Sequence, residues 1–261
     1  GVYFRLVDEK DKEAAFLAGG GIIMNISAYN SIPTNIFAYW LSQNVINNFS
    51  KGLPLSVYAD ARNGFTTGNN DLFLRMWFEV EKINICFDAT DTICAFYTGK
   101  KWFPYNKGGD FRKWYGNQEY VINWKNDGKE IKKYNHLVPR SYNYMFFESI
   151  SWSKISSGNV SFRDFPKGFM FDVAGLSLFV KENSVITKAQ LLAFLNSSVC
   201  QFYLKAMSPT LNYETGQISN LPIILEDLSK VEMISQSSIE ITRKEWDSFE
   251  TSWGFKKHPL I

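Results

Sequence analysis

From Leu55 to about Lys181 the chain is written in short aromatic or β-branched runs, each cut off by Gly, Asn or Pro: FLRMWFEV, ICAFYTG, KWFPY, YVINW, SFRDFP and GFMFDV. Runs this short, rich in flat and branched side chains, pair as strands across turns more readily than they coil into helices. Asn126-Asp127-Gly128 and Ser157-Gly158-Asn159 supply residues that tolerate left-handed backbone, the usual chemistry of tight turns. The expectation is a middle built of strands and long loops.

The flanks read differently. Residues 1–33 start with a strand-like VYFRLV, pass through a charged DEKDKE and reach Gly19-Gly20-Gly21, a flexible join. This part, residues 1–33, reads as the end of something else plus a connector. After Pro33, TNIFAYWLSQNVINNFSKG places Ile36, Phe37, Trp40, Leu41, Val45 and Phe49 at helical spacing, with Thr34 as cap and Gly52 beyond the end. Thr187 to Gln190 forms a capping box, and the following LLAFLNSSVCQFYLKAM aligns Leu191, Leu195, Val199, Phe202 and Ala206 on one stripe ended by Pro209. LEDLSKVEMISQSSI is helical in pattern. A second box at Thr242 to Glu245, stapled by Ile241 and Trp246, predicts a helix restarting at Arg243 and running to Trp253. The fold class expected is α+β: a mixed or antiparallel sheet with long loops over 34–185, then a helical region over 186–261.

Composition excludes several classes of function. The three cysteines form no CxxC pair, so neither a disulfide framework nor a zinc knuckle is indicated. No run of about 18 apolar residues and no basic start before an apolar segment occurs, so the expected setting is soluble and cytoplasmic, without a membrane. The two histidines, His136 and His258, lie near no serine or cysteine in a nucleophile context, and no P-loop is present. Asp110, Glu130 and Lys132 give a loose acid, acid-x-lysine spacing of the kind metal-dependent nucleases use, a spacing that chance also supplies.

Charge is distributed unevenly. The whole chain carries +2, yet residues 100–140 hold ten Lys or Arg against four acids, so this window is +6 and the remainder −4. KKWFPYNKGGDFRKWYGNQEYVINW packs rings and cations together. Large rings are usually buried, which leaves Trp102, Phe103, Trp114, Tyr120 and Trp124 to the framework. Lys107, Gly108 and Gly109 form a turn in which amides and an ammonium can approach a phosphate, and Arg112 and Lys113 follow closely. With Lys100, Lys101 and Lys125 they are the candidate phosphate contacts. RNGFTTGNNDLFLR is either an ordinary turn or a polar loop able to read bases; its candidates are Thr66, Asn69 and Asn70, joined by Asn106 and Arg140.

GFTTGNNDLFLRMW, KWFPYNKGGDFRKWYGNQEYVINWKNDGKEIK, ISWSKIS with FPKGFMFD, LLAFLNSSVCQFYLKAMSPTLNYETGQISNLPI and KEWDSFETSWGFKKHPL together resemble the C-terminal region of the adenine-specific DNA methyltransferases of BREX phage-defence systems. The resemblance runs from Ile32 onward. GFTTGNN and the LLAFLNSS…NLPI block are also similar to target-recognition domains of amino-methyltransferases and of type I restriction specificity subunits. It implies a target-recognition domain for double-stranded DNA over 34–185, C-terminal helices that pack on or space that domain, and an enzyme that flips an adenine out of the stack. The family's catalytic Asn/Asp-Pro-Pro-Tyr/Phe signature has no counterpart, since the chain contains no Pro-Pro. A Gly-rich loop for S-adenosylmethionine is missing as well. The implied cofactor and the methyl-transfer apparatus belong to an N-terminal methyltransferase domain that would be this chain's first partner, and the 261 residues alone are expected to be inactive. A second reading keeps the region as a docking surface for other defence-system proteins, anchored by exposed rings.

Overall fold

A computed structural model describes residues 1–23, 32–33, 40–136, 139–207, 210–225 and 228–261. Strand β1 (Val2–Tyr3) pairs antiparallel with β2 (Ile22–Ile23), and between them Asp11 caps helix α1 (Lys12–Leu17) by accepting from the Ala14 amide at 2.9 Å. Helix α2 (Gln43–Lys51) has Ser42 at its N-cap and buries Ile46 and Phe49. The predicted start of this helix, from its Thr34 cap through Ile36 and Phe37, lies outside the described residues; Trp40 and Leu41, predicted inside it, stand before its cap.

The middle contains two four-stranded sheets. The first, in the order β10-β6-β7-β5, is built from β5 (Leu74–Met76), β6 (Trp102–Asn106), β7 (Tyr120–Asn123) and β10 (Met170–Phe171) and is mixed, with β10 parallel to β6. The second, β4-β11-β8-β9, joins β4 (Ala59–Arg62), β8 (Ser149–Ser153), β9 (Phe162–Phe165) and β11 (Gly175–Val180) and is antiparallel throughout. Strand β3 (Leu53–Pro54) pairs with β12 (Pro222–Ile223). The α+β class with mixed and antiparallel sheets holds, and Ser157-Gly158-Asn159 turns the β8–β9 pair as expected.

Alternation along the strands sorts the rings into two cores. Leu176 and Leu178 of β11 face one core with Ile150, Trp152 and Phe162, while Phe179 joins the other with Phe103, Tyr105, Ile122, Trp124 and Phe171. The first core is closed by helices α6 (Lys188–Asn196) and α7 (Ser198–Met207), which bury Leu191, Leu192, Leu195, Cys200 and Leu204. Each buried leucine withdraws about 1.5–3 kcal/mol of apolar surface from water.

Three expectations are corrected. ICAFYTG, expected as a strand, is helix α4 (Thr92–Tyr97), because the Asp91 carboxylate accepts from the Cys94 amide at 2.7 Å and starts a helical turn. The Thr187–Gln190 box forms with both of its bonds. The stripe after it breaks at Ser197, whose extended ψ of 158° re-phases the chain, so Val199 and Phe202 are about half exposed and Tyr203 and Met207 are buried instead. No helix restarts at Arg243: helix α9 (Ser229–Trp246) runs through it, and the Thr242 hydroxyl donates back to the Ser238 carbonyl at 2.8 Å rather than capping. Among the described residues no helix is long and apolar enough to cross a membrane.

Candidate nucleic-acid interface

The loop after β4 is anchored before it becomes polar. Gly64 lies so close to the Phe171 carbonyl that a Cβ there would overlap it, and the buried Phe65 packs on Tyr105 and Trp124. The Tyr105 hydroxyl, wholly buried, donates to the Phe65 carbonyl, and burial followed by the nearby Asp172 charge pushes its pKa well above the ordinary phenol value. On that footing Thr66 is exposed, Asn69 caps helix α3 (Asn70–Phe73) by accepting from the Leu72 amide at 3.2 Å, and its Nδ2 donates to the Tyr134 hydroxyl at 3.3 Å. Lys107, at the end of β6, donates to Asn70 Oδ1 at 3.4 Å and pairs with the buried Asp172 at 2.7 Å. Thr66, Asn69, Asn70 and Lys107 are thus brought together, beside a cleft of about 400 Å³ that Asn70 and Lys107 share with Arg75 and Tyr120.

Lys100, Lys101 and Lys125 gather at the opposite end of the β6–β7 pair, since Trp102 stands across from Asn123 and the Trp124 amide donates to the Lys101 carbonyl at 2.9 Å. Lys101 is exposed with its ammonium 5.2 Å from the Trp102 ring, and Lys125 is exposed at the start of α5 (Lys125–Asn135). That element opens with Asn126, Asp127 and Gly128 in left-handed conformation, so the predicted turn is real but leads into a helix instead of a hairpin. Lys100 is half-buried as a residue, and its ammonium donates to the Ile83 carbonyl at the surface.

The remaining candidates serve the scaffold. Arg112 pairs with Glu245 of α9, lies 4.9 Å from the Trp246 ring and donates from Nε to the Tyr115 carbonyl at 2.9 Å. Lys113 donates to the Asn196 carbonyl at 2.8 Å, a cation placed at the negative end of α6. Asn106, expected to read a base, is 1 % exposed and its amide bonds Ser151 and Gly175 of the second sheet. Gly108 is buried and Gly109 exposed, both with positive φ, 84° and 123°, which a turn returning from β6 requires. Arg140 is exposed. The sequence therefore named a single cationic surface where the fold has a group of three lysines at one end of β6–β7, a polar loop cluster with Lys107 at the other, and a set of internal ties.

Of Asp110, Glu130 and Lys132 the last two are engaged elsewhere: the Glu130 carboxylate accepts from Asn123, and Lys132 pairs with Asp127. Among the described residues no cluster of three His, Cys, Asp or Glu is placed for a metal ion. Tyr134, Arg75 and Asp172 belong to the loop cluster and were not singled out by the sequence; Tyr134 and Asp172 meet it through bonds to Asn69 and Lys107 that span 65 residues, for which no local pattern exists, while Arg75 donates nearby to the Asp71 carbonyl.

No protein-family model matches the chain. Two curated relatives match it throughout. The adenine-specific methyltransferase PglX of Lacticaseibacillus casei (strain Zhang) is 39% identical over 282 residues, covering 100% of this chain and 23% of the relative. The adenine-specific methyltransferase BrxX of Escherichia coli O9:H4 (strain HS) is 38% identical over 268 residues, covering 100% of this chain and 21% of the relative. The chain spans less than a quarter of the length of these relatives. From end to end it is homologous to the C-terminal part, about a fifth, of the PglX- and BrxX-type adenine-specific methyltransferases.

Proposed function

We propose that the chain is the DNA target-recognition part of a site-specific adenine DNA methyltransferase of a phage-defence system. The observation that carries this reading is the match of the whole chain, at 38% to 39% identity, to proteins named for adenine-specific methyl transfer. Methyl transfer itself is assigned outside these residues. S-adenosylmethionine does not fit the glycine turns here: Gly19–Gly21 follows α1, Gly108–Gly109 follows β6 without a helix behind it, and the loop with Gly64 and Gly68 after β4 opens only the four-residue α3, whose first turn is already capped by Asn69.

In this reading the exposed Lys101 and Lys125 meet phosphates at one end of the first sheet. Thr66, Asn69, Asn70, Lys107 and the exposed Arg140 approach the duplex from the loop side, where short amides and hydroxyls suit base edges. Asn106, Arg112 and Lys113 hold the scaffold that presents them. A double variant Lys101→Ala/Lys125→Ala is expected to weaken duplex binding and to lower the slope of log affinity against log salt by about 2, near 0.9 for each neutralised phosphate. Lys113→Ala should leave that slope unchanged. Fluorescence anisotropy with a labelled duplex over a salt series reads both; equal slopes in wild type and double variant would remove these lysines from the interface.

A second reading, docking to another defence protein, is favoured by Ile93, Phe96 and Tyr97 of α4, which are 68%, 51% and 81% exposed. Partner binding through them would survive loss of the two lysines, whereas DNA binding would not.

A further inference from the structure

Arg163 of β9 is 0% exposed, and among the described residues no carboxylate lies within ion-pair distance of it. Its guanidinium donates to Ser153 Oγ at 3.2 Å, to Ser161 Oγ at 3.4 Å and to the Asp110 carbonyl at 3.4 Å, and its Nε–H has no acceptor. Burial, and then the like charge of Arg112, push its pKa down to about 10, which leaves it cationic at neutral pH. A buried cation held only by long bonds to neutral oxygens is costly, and chains that tolerate one usually supply a counter-charge.

The three groups that hold the guanidinium, Asp110, Ser153 and Ser161, all line one open cavity of about 150 Å³ beside Gly109. Ser153 spends its proton on the Gly109 carbonyl at 2.6 Å. Ser161 does not: its oxygen accepts from the Arg112 amide at 3.0 Å and from Arg163, and among the described residues its own O–H has no acceptor. Two acceptor bonds fix the oxygen and leave the proton for something else. The geometry points to an oxyanion site of the phosphate class in this cavity, in which the Ser161 hydroxyl donates to the anion and Arg163 supplies the compensating charge from one bond behind. Asp110 is the acidic residue of the lining, so the anion binds on the serine side and not at the Asp110 carboxylate. The anion is either a free phosphate or a phosphate of a nucleic-acid backbone. The site rests on Arg163 and its cavity, and on the proposed DNA recognition only in the second case.

The test uses the 261-residue chain in chloride buffer of fixed ionic strength, with inorganic phosphate as probe, read by melting temperature and by titration calorimetry. Phosphate is expected to raise the wild-type melting temperature. Ser161→Ala and Arg163→Met should bind it about tenfold more weakly or not at all, as loss of a charge-assisted bond implies. Without phosphate, Arg163→Met should be at least as stable as wild type, because an uncompensated charge has been removed. No response in the wild type, an equal response in both variants, or an Arg163→Met chain that is unfolded without phosphate would overturn the site. The last result would show that the chain already compensates the guanidinium. A short duplex then separates the sources. Duplex binding weakened by Ser161→Ala and by competing phosphate assigns the anion to DNA; duplex binding untouched by Ser161→Ala, with the phosphate response kept, assigns it to free phosphate. A wild-type chain that responds to phosphate but binds no duplex retains the site and refutes the DNA reading alone.

Discussion

Asn106→Ala is expected to lower stability by about 3 kcal/mol, because several buried polar groups lose their partners at once and each costs about 1–3 kcal/mol. In a domain of this size that is roughly 6–12 °C in melting temperature. The Asn106 amide donates to Ser151 Oγ at 2.6 Å and to the Gly175 carbonyl at 3.1 Å, and its oxygen accepts from the Gly108 amide at 3.1 Å. These bonds tie the end of β6 in the first sheet to β8 and β11 in the second. Alanine leaves the Gly108 N–H and the Gly175 carbonyl buried and unpaired. Thermal unfolding followed by circular dichroism measures the effect. An unchanged melting temperature with lost duplex affinity would instead return Asn106 to the role of a base reader, the one expected of it from the sequence.

Lys188→Met should cost about 3 kcal/mol, the usual penalty for removing one partner of a buried ion pair. Lys188 sits at the start of α6 with its ammonium 2.6 Å from Glu148 and 2.7 Å from Asp164, whose side chain is 8% exposed. Arg243, at 3.7 Å, is then the one cation within ion-pair distance of Asp164 among the described residues. Burial alone would lower the Lys188 pKa, but Asp164 and Glu148 outweigh it and hold the pKa above the ordinary 10.5. The stability this raised value contributes is fully present below 10.5 and is lost as pH rises through the raised pKa. Glu148, held below its ordinary 4.5 chiefly by the bond from Lys188, contributes above 4.5 and loses its contribution as pH falls through the lowered value. Urea unfolding of wild type and variant should therefore differ by a constant amount between about pH 5 and 10, with the gap closing at both extremes. A gap that widens in alkali would contradict the assignment.

What the sequence disclosed was local. Strands β6, β7 and β9 are legible because short aromatic and branched runs cut off by turn residues pair as strands, and the Thr187–Gln190 box is legible because its two bonds span three residues. ICAFYTG misled because its branched and aromatic side chains suit a strand, while one carboxylate just before it, Asp91, decides for a helix. The candidate site was harder to read for the same physical reason. A lysine or arginine announces its charge but not its partner: Arg112 is claimed by Glu245 and Lys107 by Asp172, acids that arrive from other parts of the chain. Lys101 and Lys125 have no such acid among the described residues, and their closeness follows from strand register rather than from spacing.

Exchanging the matching region of the Escherichia coli relative for this chain, and mapping modified adenines in DNA methylated by the chimera, tests most directly the claim that these 261 residues select the target. The account predicts modification at a new sequence, the same one whichever DNA is supplied. Modification that stays at the relative's own sequence would place target selection elsewhere in the enzyme and contradict it.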